Sequence, residues 1–248
     1  MEDFSYLCGM KTIAKKYSVN ERFFDKIETE YQAYFLGLMA SDGCITDENK
    51  LLIGLAREDE QVLKLFKHCI NYTGPLYLIA GRTVKHKDQT RLQIRNKTLF
   101  EDLKKHGITE RKSLTLKFPE LKDDLIPHFI RGYFDGDGSV KFNHGVIRVQ
   151  FVGTYEFLFK LQSILMEKCE LSAVKMYQAN KAKNTFDLTY GGDTQVMRIY
   201  DYLYNGTFCF MQRKKDKFDN HWKEKFKSYP TSILYEELDR RDAIPDFD

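Results

Sequence analysis

Two aspartates, Asp42 and Asp137, stand at the same point of a repeated pattern. Residues 31–43 read YQAYFLGLMASDG and residues 126–138 read IPHFIRGYFDGDG, which align without a gap as [FI]-x-G-x-x-x-[SG]-D-G at a separation of 95 residues. The same offset places residues 59–63 on 154–158 and Phe66 on Leu161, so two copies of one unit are present. In each copy the acid follows an apolar run with the spacing of a buried helix. Gly37 with Ser41, and Gly132 with Gly136, set small residues four apart on one face, where helix backbones can approach closely. If these helices pack about a pseudo-twofold axis, Asp42 and Asp137 meet at their C-terminal ends. Each then faces the other's charge and the unfavourable end of a helix dipole. A divalent cation relieves both problems, and carboxylate oxygens with open water positions suit Mg2+. In a groove offered to phosphates, such a pair supports hydrolysis by an activated water.

The elements that must position these acids read as helix, hairpin, helix, hairpin, helix in each copy, which makes the fold class α+β. Residues 32–41 and 125–136 are the repeated helices, the second with Pro127 in its first turn. Asn143-His144-Gly145 is a turn signal, and residues 146–152 alternate Ile147, Val149 and Phe151 with Arg148 and Gln150. The first copy is less regular over residues 51–57, because the offset puts Ile53 and Leu55 on the polar face. Asp59 and Thr154 are expected to cap the following helices. The second hairpins pair residues 76–79 with 91–96 and 174–179 with 185–190; in the former Arg91, Gln93 and Arg95 alternate with Leu92 and Ile94. Closing helices over 97–106 and 195–204 lead to matching basic stretches, Arg111-Lys112-Ser113 and Arg213-Lys214-Lys215. The expected division is an N-terminal segment 1–25, repeats 26–111 and 125–227, a linker 112–124 and a tail 228–248. Residues 11–17 have a helical pattern that could be the remnant of a helix-turn-helix.

At 248 residues with 42% hydrophobic and 30% charged residues, the chain is globular and holds no uncharged apolar run near bilayer length. The expectation is a soluble intracellular monomer with no membrane contact and no small-molecule cofactor. Five scattered cysteines, without a C-x-x-C pair, exclude a disulfide scaffold or a zinc finger. Asp135-Gly136-Asp137-Gly138 resembles the start of a calcium loop, but Val140 stands where that loop needs glycine. The tail 235–248 carries six acids against Arg240 and Arg241, so the body is more basic than the formal charge of +3 suggests. That balance fits a polyanionic partner.

The two motifs, Phe35 to Gly43 and Ile130 to Gly138, resemble those of the LAGLIDADG homing endonucleases in the form with both repeats on one chain. Lys112-Ser113 followed by Lys117-Phe118-Pro119 is similar to the family's linker, and the resemblance spans roughly residues 30–226. It implies two αββαββα units around a central helix pair, with two antiparallel sheets forming a saddle over double-stranded DNA. It implies metal-binding, catalytic roles for Asp42 and Asp137, and cleavage of one phosphodiester per strand to leave short 3′ overhangs. The family's sixth motif position is often acidic; here it holds Ala40 and Asp135, which assigns Asp135 a structural role. Symmetry nominates Lys112 and Lys214 as the basic catalytic residues, with Lys117 and Lys215 as alternatives. Arg91, Gln93, Arg95, Arg148 and Gln150 are expected to read bases, and Lys85, Lys87, Lys175, Lys181 and Lys183 to contact DNA, those at hairpin tips through phosphates. The alternative is a non-cleaving binder, an RNA splicing maturase or a transcription regulator, on the same fold. Met1 and the lack of a closing His-Asn favour an intron-borne or free-standing gene over an intein.

Overall fold

The computed structural model describes residues 16–46, 48–81, 87–178 and 184–227. The first repeat runs α1 (Glu30–Ser41), β1 (Gly43–Thr46), β2 (Lys50–Ala56), α2 (Glu60–Cys69), β3 (Leu76–Ile79), β4 (Gln89–Arg95) and α3 (Lys97–Lys105). The second runs α4 (Ile126–Asp137), β5 (Ser139–Asn143), β6 (Val146–Gly153), α5 (Tyr155–Lys168), β7 (Tyr177–Gln178), β8 (Phe186–Gly191) and α6 (Asp193–Tyr204), followed by α7 (Gln212–Lys227). Each repeat forms an antiparallel four-stranded sheet, with orders β1-β2-β4-β3 and β5-β6-β8-β7. The architecture is therefore the expected α+β pair of repeats. Residues 11–15 of the N-terminal pattern, the acidic tail, Lys85, Lys181 and Lys183 lie outside the described residues, and residues 16–17 are not helical.

The α1 helix begins with a capping box in which Thr29 and Gln32 exchange hydrogen bonds with each other's backbone. Nine successive residues from Ala33 to Ser41 are buried, so α1 is enclosed on every side rather than laid on a surface. The glycines allow this. A Cβ at Gly37 would overlap the Phe129 carbonyl oxygen, and one at Gly132 would overlap that of Tyr34, so α1 and α4 touch backbone to backbone at symmetric points. At Gly136 a Cβ would overlap the Ser41 hydroxyl, completing the expected small-residue contact.

The sheets bury one face each, under α2 and α3 in one repeat and α5 and α6 in the other. In β6, Ile147, Val149 and Phe151 face inward and Arg148 faces solvent, as the alternation predicts. In β4, Leu92 and Ile94 are buried while Gln93 and Arg95 are exposed. Burial of each such large side chain contributes about 1.5–3 kcal/mol.

Three expectations need correction. Ile53 and Leu55 are core residues, not outward ones: Leu51, Ile53 and Leu55 form the buried row of β2. The cause is a loop length. Thr46 pairs with Lys50 across three residues, whereas Asn143 pairs with Val146 across two, so the strands fall one residue out of the repeat's offset. Second, β7 is shorter than residues 174–179, beginning only at Tyr177, and β4 extends back to Gln89. Third, Asp59 makes no side-chain cap to α2, although Thr154 caps α5 by accepting from the Phe157 amide at 3.2 Å. Helix α7 contains the second basic stretch in its first turn, although the sequence suggests no helix beyond residue 204.

Candidate active site

Asp42 directly follows α1 and Asp137 is the last residue of α4. Because the helices cross at their glycines, their C-terminal ends come together, and so do the two carboxyls. Burial pushes the Asp42 carboxyl up to about 6, with the Asp137 charge as the second cause. Asp137 is also raised, chiefly by burial, against the opposing charges of Lys112 and Lys214. Both side chains remain open to solvent, yet two carboxylates this close to each other and to packed protein atoms favour a proton or a cation between them.

Each helix end carries one lysine. Lys112, in a 3-10 turn at Lys112–Leu114, donates from Nζ to the carbonyls of Ser41 at 2.9 Å and Gly43 at 2.5 Å. Lys214, in the first turn of α7, donates to the carbonyls of Phe134 at 2.5 Å, Gly136 at 3.1 Å and Gly138 at 2.6 Å. These ammonium groups satisfy carbonyls left open at the helix termini and offset the negative end of each dipole. Desolvation lowers both from the ordinary lysine value, Lys214 to about 8. An ammonium has three N–H donors. Those of Lys214 are all engaged by backbone, whereas Lys112 makes two such bonds among the described residues. The alternatives lie elsewhere: Lys117 pairs with Glu156 at 2.9 Å, and Lys215 with Asp219 at 2.8 Å.

Asp135 is fully buried. It accepts from the Tyr34 hydroxyl at 2.7 Å, the Tyr204 hydroxyl at 2.8 Å and the Met211 amide at 2.6 Å, so it joins α1, α6 and the approach to α7. Beneath it, the buried Arg131 guanidinium bonds Glu30 at 2.7 Å and the carbonyls of Leu203 and Cys209 at 2.8 and 2.7 Å. The sequence alone shows neither network, since the partners lie far apart along the chain.

The strand residues expected to read bases occupy the outward sheet faces. Gln150 accepts from Lys141 at 2.7 Å, and Arg95 donates to the Glu48 carbonyl at 3.2 Å. Lys87 pairs with Glu58 at 2.9 Å, and exposed Lys175 lies 5.3 Å from the Tyr177 ring centre. Among the described residues no group of three or more His, Cys, Asp and Glu side chains could hold a metal ion. The acidic pair nevertheless fits a hard cation: both donors are carboxylates, both are raised toward protonation, and the rest of the coordination would come from water and bound phosphate. No described helix is long and apolar enough to cross a membrane.

This arrangement is the fold of the LAGLIDADG proteins, with two repeats on one chain. The solved LAGLIDADG homing endonuclease I-GzeII, in complex with its DNA target, superposes with a TM-score of 0.53 over 86% of this chain and 97% of its own, at 12% identity. I-LtrWI, another LAGLIDADG homing endonuclease bound to target DNA, gives 0.50 over 92% and 94%, at 11% identity. Full-length DUF199/WhiA from Thermatoga maritima gives 0.51 over 90% and 71%, at 13% identity. No family model matches the sequence. Two curated proteins of Methanocaldococcus jannaschii are similar over part of the chain. A probable translation initiation factor IF-2 is 31% identical over 157 residues, 60% of this chain and 12% of its own length. The DNA-directed RNA polymerase subunit Rpo1C is 26% identical over 166 residues, 66% and 18%. The chain thus spans less than a fifth of either relative.

Proposed function

We propose that the chain is a site-specific double-strand DNA endonuclease that works with Mg2+ or another divalent cation. The observation that carries this reading is the symmetric meeting of two solvent-accessible carboxyls at the helix crossing, each beside a lysine bound to the end of its own helix. Asp42 and Asp137 would hold the cation, which when bound supplies charge neutralisation and a more acidic water. The outward faces of the two sheets each take one half-site in the major groove, so the crossing of α1 and α4 lies over the central minor groove. In each strand a water oxygen bonds to phosphorus as one P–O bond breaks, leaving short 3′ overhangs. Lys112 offers an N–H to the reacting phosphate; Lys214 contributes charge and holds the α4 terminus.

DNA-bound homing endonucleases on this fold support the substrate. The two archaeal relatives support mobility, because an initiation factor and a polymerase subunit have no named activity in common, and a segment resembling both is independent of either host's work. DUF199/WhiA, a protein not named as a nuclease, has the same fold and gives the non-cleaving regulator or maturase its standing; two intact motif acids favour cutting. The test is supercoiled DNA carrying the locus around the gene, incubated with Mg2+ or with a chelator. A linear product only with the cation is expected, and tight binding with intact DNA in both would favour the alternative.

A further inference from the structure

The two site lysines belong to segments that are fastened to the opposite repeat. Arg213, beside Lys214, donates to Asp59 of the first repeat from Nη2 at 2.8 Å and from Nε at 3.2 Å. Asp59 is 4% exposed, although a carboxylate is almost never fully buried without a partner. Its half-exposed neighbour Glu58 also places an oxygen 3.5 Å from Arg213 Nε but shares that oxygen with Lys87 at 2.9 Å, so the shorter contact to buried Asp59 is the one that fixes the guanidinium. A two-pronged contact of this kind sets orientation as well as distance. Successive residues on a helix point about 100° apart, so a fixed Arg213 sets the rotation of the first turn of α7 and aims Lys214 at the α4 terminus.

The other lysine has a counterpart. Thr154, at the position matching Asp59, donates its hydroxyl to the Leu116 carbonyl at 2.6 Å. Leu116 in turn donates its amide to the Lys112 carbonyl at 2.7 Å, closing the turn that holds Lys112. Thus the residue at the start of the second helix in each repeat grips the segment bearing the other repeat's lysine. One grip is an ion pair between buried Asp59 and partly exposed Arg213, and the other a neutral hydrogen bond. The adjacent Lys117–Glu156 pair is exposed on both sides, where such pairs contribute little.

We propose that Asp59 and Thr154 are positioning residues that cross-brace the two halves: Asp59 through Arg213 places Lys214, and Thr154 through Leu116 places Lys112. Each half-site's scaffold therefore governs the lysine at the other motif helix. The consequence for DNA rests on the endonuclease reading above, but the placement of the lysines does not.

Two measurements separate them. Amine acylation with N-hydroxysuccinimide acetate at fixed pH, read by peptide mass spectrometry, reports how often each lysine leaves its carbonyls. Asp59→Asn should raise labelling of Lys214 by about tenfold and leave Lys112 unchanged, the rate reporting local opening. Thr154→Val should do the reverse, and Thr154→Ser, which keeps the hydroxyl, should behave as the unmodified chain. The double change Asp59→Asn with Arg213→Gln replaces the ion pair by two amides and should restore part of the protection of Lys214. Equal rises at both lysines, or no rise, would overturn the brace. On a duplex recovered from a randomised library by the unmodified protein, Asp59→Asn should slow one strand and Thr154→Val the other, so that opposite nicked intermediates accumulate. Slowing both strands alike would overturn the assignment. If the unmodified protein cuts no duplex, the endonuclease reading fails, and labelling alone decides the brace.

Discussion

Asp42 carries a conflict between folding and chemistry. Its carboxyl is raised to about 6 by burial and by Asp137, so the folded chain binds the proton more tightly than the unfolded one. For a carboxyl raised in this way, the stabilisation present below the unfolded value, near 4, is lost as pH rises through about 6. At neutral pH without a cation, the charged side chain therefore weakens the fold. Because Asp42 is exposed and solvent screens its charge, Asp42→Asn should raise the stability of the metal-free protein at pH 7.5 only modestly, by at most about 1 kcal/mol, while removing double-strand cutting. Denaturant melts at pH 5 and 7.5 check this: the gain should shrink at the lower pH. The acids were legible in the sequence because the motif occurs twice, and the same symmetry picked Lys112 and Lys214 over their neighbours. The use of all three Lys214 donors was not legible, since carbonyls carry no residue-type signal. Asp59 looked like a helix cap because its partner Arg213 is 154 residues away.

The helix pair and the strand faces carry different lessons. Spacing of small residues predicted that α1 and α4 touch, and the overlaps of added Cβ atoms at Gly37 and Gly132 with backbone oxygens agree. Even Gly132→Ala should then destabilise the chain by about 1–3 kcal/mol, seen as a lower denaturant midpoint, since backbone cannot yield as a side chain can. An unchanged midpoint would mean that the helices separate readily. Strand parity was legible in β6 and β4 but not in β2, where one added loop residue shifts Ile53 and Leu55 to the core. On β6, Arg148 faces outward and can bond guanine O6 and N7 together. Arg148→Ala should cost about 1–3 kcal/mol and relax preference at one or two base pairs, whereas Lys175→Ala should weaken all sequences alike and reduce the salt slope by about 1. Binding to a randomised duplex library at several salt concentrations distinguishes these effects. Uniform weakening by Arg148→Ala would place that strand on phosphate.

At the scale of the molecule, duplication makes two sheets and two acids into one site with an internal twofold axis. The repeat organisation was legible because core positions recur at fixed offset. The polar seam was not: Asp135 to Tyr34, Arg131 to Glu30 and Arg213 to Asp59 all cross between copies, and in each only one copy supplies a given partner. Those contacts turn two similar halves into a single asymmetric body. The central claim is that Asp42 and Asp137 act together on paired strands. Its most direct test is end-sequencing of both strands after the unmodified protein acts on a randomised duplex library with Mg2+, beside Asp42→Asn and Asp137→Asn. Paired breaks at one recurring sequence, with a constant short 3′ overhang that both variants abolish, are the predicted result. Breaks on single strands at unrelated positions, or paired breaks that persist in either variant, would contradict it.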